Sequence, residues 1–176
     1  MITLAQTPYR TLLDEALESW GYTRSGVIAE AESIPLDQWD FRPGKGARSV
    51  AELVHHIVES GLMAFGELTN PEGDFTRQPY PAFLEEHAGH IARERDRSRL
   101  LKLLRETFDQ GESKLRGVGE LFLLQAIRRF DGQPGTRLAW LWHAIDHESY
   151  HRGQLAIIIR VMGGVPALTR QIHGEE

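Results

Sequence analysis

His147 and His151 stand four residues apart in the run HESYH (147–151). On a helix, that spacing stacks both imidazoles on one face, one turn apart, near enough to hold a single ion. His143 lies one further turn back on the same face. A rigid helix cannot wrap three stacked rings round one ion. A metal site here therefore uses one adjacent pair, His143 with His147 or His147 with His151, plus a ligand from elsewhere. The run also fits H-E-x-x-H, in which two histidines bind zinc and the glutamate activates water. That protease form needs a third ligand downstream. Counted from His151, the extended signature wants glycine at 154 and histidine at 157, where the chain has Gln154 and Ile157. The other form wants a glutamate on a later helix, and only Glu175 and Glu176, at the very end, are available. Neither form is met.

Upstream, AELVHHIVES (51–60) supplies His55 and His56. Val50, Leu53, Val54 and Ile57 mark the buried side of a helix. His56 follows Leu53 by three residues and borders that side, while His55 is turned away by about 100°. His56 is thus the inward histidine, and His55 is expected to be exposed or to support a ligand. One histidine from one bundle helix with an i, i+4 pair from another makes a three-histidine site with open positions for water or substrate. His87 and His90 fall in an irregular stretch with no metal-like partner. His173 lies near a C-terminus expected to be mobile.

The neighbours of the pair have expected roles too. Asp146 and Glu148 point about 100° to either side of His147, as solvated or supporting groups. Arg152 either pairs with an acid near the site or binds a substrate carboxylate. Gly153 costs a helix interior about 1 kcal/mol relative to alanine, which a close helix–helix approach would explain. Gln154 can orient a ligand through its amide.

Four helices must position these residues. Apolar periodicity predicts them at roughly 8–32, 49–69, 96–116 and 136–162. Ser49 to Glu52 reads as a capping box, and Thr136 reads as an N-cap. Gly163, Gly164 and Pro166 stop the last helix. Between the second and third helices lies a long segment, about 70–95, with Pro71, Gly73, Pro79, Pro81 and Gly89. Antiparallel bundle neighbours need only about 2–8 residues between them. This connection therefore reads as a crossover between parallel helices. Residues 119–136 read equally as a short strand, a short helix or an extended loop. The fold class is all-α, a four-helix bundle, in one domain over 1–176.

Composition narrows the partners. A net charge of −5 with 26% charged residues argues against a nucleic-acid binder. Arg93, Arg95, Arg97 and Arg99 alternate with Glu94 and Asp96, as a solvated helix start does. No cysteine is present, which removes disulfides, thiolate ligands and a cysteine nucleophile. The N-terminus has no signal-peptide core, and the longest apolar runs are too short for a bilayer. A cytoplasmic protein acting on a small molecule is the expectation.

HESYHRGQL (147–155) followed by GGVPA (163–167) resembles the hallmark of the DinB/YfiT-like superfamily of metal-dependent enzymes. FRPGKGARSVAELVHHIVES (41–60) is similar to the family's upstream stretch, and aligned on Ser49 to Glu52 the family's histidine falls on His56. These motifs cover about a quarter of the chain; elsewhere only the pattern matches. The resemblance implies a bundle with a long crossover between helices 2 and 3. It implies a divalent ion, usually zinc or nickel, held by His56, His147 and His151, and a homodimer. It also implies one of several chemistries. Relatives include mycothiol-dependent maleylpyruvate isomerase and bacillithiol transferases, so a low-molecular-weight thiol cosubstrate is one implied option and water activation for hydrolysis is another. A non-catalytic metal-binding or regulatory module would share the same ligands.

Overall fold

The computed structural model describes residues 9–174. The expected start of the first helix at residue 8, and Glu175 and Glu176, lie outside them. Its long helices are α1 (Leu12–Ser33), α2 (Val50–Thr69), α4 (Arg97–Val118) and α6 (Arg137–Val161). Shorter elements are α3 (Tyr80–Ala88), α5 (Glu120–Leu123), α7 (Ala167–His173) and the strands β1 (Ala126–Arg128) and β2 (Pro134–Thr136).

The helix starts are chemically specified. Thr11 accepts from the Asp14 amide at 3.0 Å, and Thr136 accepts from Ala139 at 3.1 Å. Ser49 and Glu52 form the reciprocal box, each accepting the other's backbone N–H at 3.2 and 3.0 Å. Arg42 grips the Glu52 carboxylate. Phe41 and Trp39 carbonyls accept from the Val50 and Ala51 amides, so the 40–48 loop clamps the first turn of α2.

α2 packs on α4 and α6, and α1 packs on the same two helices, so α1 and α2 face each other diagonally. Contact pairs give the directions. Along α2, His55 reaches Ile91 just before α4, while Phe65 lies against Gly111 within it. These two helices therefore run parallel, and the crossover expected between them is present. It is not irregular throughout. Pro79 and Pro81 start α3, because proline in a first turn gives up an N–H that has no helical partner there. The ambiguous 119–136 stretch divides into α5 and the antiparallel hairpin β1–β2, with Ile127 opposite Gly135. Arg137 is 1% exposed and donates to the Glu67, Leu68 and Pro71 carbonyls at 3.2 Å, closing the C-terminal end of α2. The buried Glu30 carboxylate accepts the Ala167 and Leu168 amides at 2.7 and 3.2 Å, which fixes α7 to α1.

No described helix is long and apolar enough to cross a membrane.

Candidate metal centre

α2 and α6 bring three imidazoles together. One ring nitrogen from each of His56, His147 and His151 lies within 4.8 Å of the other two. The His147 and His151 Nε2 atoms are 3.1 Å apart. The His56 ring meets both at centroid distances of 5.2 and 4.9 Å. His143 is not among them. It stacks on Trp140 at 4.3 Å and is exposed, one turn away along α6. Of the two possible pairs on α6, geometry selects His147 with His151.

The outer nitrogens are held. His151 Nδ1 donates to Gln154 Oε1 at 2.8 Å, the role expected of that amide. His56 Nδ1 donates to Glu59 Oε1 at 2.9 Å. Each contact fixes a tautomer with its Nε2 lone pair free for an ion, the usual support for a ligating imidazole. Glu59 was not singled out from the sequence. Its position three residues after His56, on the same helix face, was the available signal.

Electrostatics keep His147 and His151 neutral. Burial, with the neighbouring His151, His56 and His143 charges and Arg48, pulls the His147 pKa down to about 4. Burial also lowers His151, against the opposing pull of Gln154. Glu59 stays below its ordinary range: burial works to raise it, and the His56 hydrogen bond with the His55, His56 and Arg48 charges outweighs that. Neutral imidazoles beside an ionised, fixed carboxylate form a donor set that suits a divalent cation.

Several expectations need correction. His55 is not exposed, although its Nδ1 lies 3.6 Å from the Glu59 carboxylate that holds His56. It is 5% exposed, and its Nε2 lies 3.0 Å from the Ile91 carbonyl, because the crossover covers the face of α2 that a lone amphipathic helix would show to water. Glu148 is not solvated either. Its carboxylate is buried, paired with Arg24 Nε and Nη2 (the latter at 2.8 Å) and accepting from Trp20 Nε1 at 2.9 Å. A carboxylate so committed does not activate water, so the protease reading fails on geometry as well. Arg152 lies over the Tyr22 ring at 5.4 Å and against Gly26, and pairs with no acid among the described residues. The close approach expected at Gly153 is at Gly26 instead; Gly153 faces open space and nothing in the fold explains it. His87 does have a partner, since its Nε2 is 2.6 Å from Glu67 Oε1. Arg77 already neutralises that carboxylate at 2.6 and 2.7 Å. Asp146, His90 and His173 are exposed as solvated groups, although His173 ends α7 and not a loose tail.

One cavity borders the triad and a separate groove lies near it. A cavity of about 190 Å³ reaches His147 from the α2–α6 side. An open groove is bordered by Arg48, Tyr150 and Gln154, the residue that holds His151, and no triad histidine lines it.

Residues 6–174 match the model of the DinB family. The chain belongs to the DinB family. No curated protein matches it. Solved structures do. A DinB-like protein from Bacillus subtilis shares 24% identity at TM-score 0.65, over 86% of this chain and 93% of that one. YfiT from the same organism, described as a probable metal-dependent hydrolase with an unusual four-helix bundle topology, shares 21% at TM-score 0.61, over 93% and 91%. Mycothiol-dependent maleylpyruvate isomerase shares 14% at TM-score 0.64, over 88% of this chain but only 63% of that one. These likenesses establish the fold, with the diagonal arrangement and crossover described above.

Proposed function

We propose that this DinB-family protein is a metal-dependent enzyme acting on a small molecule, with His56, His147 and His151 as the ligands of one zinc or nickel ion. The observation that carries the reading is the convergence of three imidazole nitrogens within 4.8 Å. The tethers from His56 to Glu59 and from His151 to Gln154 support it. All-imidazole donors suit zinc and nickel among other divalent ions. An ion held by three neutral ligands keeps its charge and an open position, and so lowers the pKa of a water or thiol bound to it.

The chain's own residues then divide the work. His56, His147 and His151 hold the ion. Glu59 and Gln154 aim two of those rings. The cavity on the His147 side excludes bulk water from one partner, and the groove with Arg48 admits another. A cavity bordered by His147, with a groove at Gln154 nearby, favours transfer between two small molecules, such as a low-molecular-weight thiol and an electrophile, over a closed structural or regulatory site. Hydrolysis needs only the cavity. We place the enzyme in the cytoplasm as a homodimer without nucleic-acid or membrane partners. Trp142, Tyr150, Ile157 and Val161, 39–65% exposed along one side of α6, favour the dimer.

Bacillithiol, mycothiol and glutathione, each offered with a panel of electrophiles, test the reaction. Turnover that needs both the thiol and the ion supports transfer. Inactivity with all three thiols while the panel is hydrolysed counts against it.

A further inference from the structure

We propose that the cavity beside His147 binds a monocyclic aromatic group, so that the substrates of this site are aromatic small molecules. The inference rests on the reading of the triad as the reactive centre, and it concerns the wall that faces it.

Aromatic side chains dominate that wall. Trp20, Phe65, Tyr80, Phe130 and Trp140 line it. Phe130 sits 5.5 Å from Tyr80 and 6.0 Å from Trp140, at the inclined angles that aromatic rings prefer. A core of such rings would ordinarily close on itself, since protein interiors pack to the density of organic crystals. Here about 190 Å³ stays open, bordered by His147. An apolar cavity of roughly 150 Å³ admits benzene. The present one fits a six-membered ring carrying one or two small substituents.

The buried polar side chains in the wall, Ser60, Glu148 and Trp20, are already committed. Ser60 Oγ donates to the His56 carbonyl at 2.6 Å. Glu148 is saturated by Arg24 and Trp20. A sugar or an amino-acid head group would find little to bond with inside. Tyr80, 39% exposed, and the exposed His143 stand at the rim, where a ring can enter. His143, off the metal centre, gains a role as part of this wall.

The test needs no turnover. Met63 lines the cavity and Met162 does not, so methyl-labelled methionine gives an internal control by NMR. Titration of the purified protein with benzyl alcohol should shift the Met63 methyl signal saturably and leave Met162 in place. Stacking and edge contacts with the wall make 1-heptanol, similar in size but flexible, about tenfold weaker. Ala144→Leu, which fills the cavity, should abolish the shift with the helical circular dichroism unchanged. Should that variant fold poorly, Trp140→Leu should weaken binding and narrow the preference over heptanol. His56 is not in the wall, so His56→Ala should lose metal yet bind the ring as before, which keeps this inference separable from the metal reading. An unshifted Met63 signal, binding untouched by both wall variants, or heptanol as tight as benzyl alcohol would each overturn the proposal.

Discussion

Removing Arg24 while keeping Glu148 should be among the most damaging single changes in this chain. The Glu148 carboxylate is 4% exposed and Arg24 is 2% exposed. Arg24 also donates to the Leu104 carbonyl and Thr107 Oγ1 at 2.6 and 3.0 Å, so it ties α1 to α4 and α6 together. Breaking a buried pair from one side costs about 3–5 kcal/mol, because the surviving charge has neither water nor a partner. At about 2–4 °C per kcal/mol for a domain of this size, Arg24→Met should lower Tm by about 6–20 °C. Glu148→Leu should cost a similar amount. The double variant removes both charges and leaves chiefly the Trp20 N–H without an acceptor, a penalty of about 1–3 kcal/mol. The coupling energy is then at least about 3 kcal/mol. Urea and thermal unfolding of the four proteins, followed by circular dichroism, measure it. Single-variant costs that simply add, within about 0.5 kcal/mol, would refute the buried-pair account.

Other outcomes follow from the same contacts. Glu59→Gln and Gln154→Ala should each weaken metal affinity by about 10–100-fold while leaving the ligands in place, read by competition with a chelator. In metal-free protein His147 should titrate near pH 4 by NMR, well below the ordinary value of 6.5. Because its folded pKa is depressed, the unfolded state takes up the proton first; the stability is fully present above pH 6.5 and is lost as pH falls towards about 4, which pH-dependent unfolding detects. Glu30→Ala should release α7 from α1, raising amide exchange at Ala167 and Leu168 while leaving exchange in α2 unchanged, measured by hydrogen exchange.

Much of the centre was legible in the sequence because its geometry is local. The four-residue step from His147 to His151 puts two rings on one face whatever surrounds the helix. The Leu53–His56 step fixed the inward histidine in the same way. Caps at Ser49 and Thr136 bounded both helices, and the length of the 70–95 segment set the parallel direction of α2 and α4. What the pattern could not carry depends on distant elements. His55 is buried by Ile91, 36 residues along the chain, and Glu148 by Arg24, 124 residues back. Helical periodicity marks a face but not what later covers it. Pro79 and Pro81 of the crossover looked like breakers and proved to be a helix start, because proline breaks a helix interior but suits its first turn.

Metal content of the purified chain tests the central claim most directly. Wild type and His143→Ala should each carry about one equivalent of a divalent ion by elemental analysis, in line with a single three-histidine site. His56→Ala, His147→Ala and His151→Ala should each lose it while remaining helical. Metal retained in full by any one of those three variants, or lost in His143→Ala, would contradict the account.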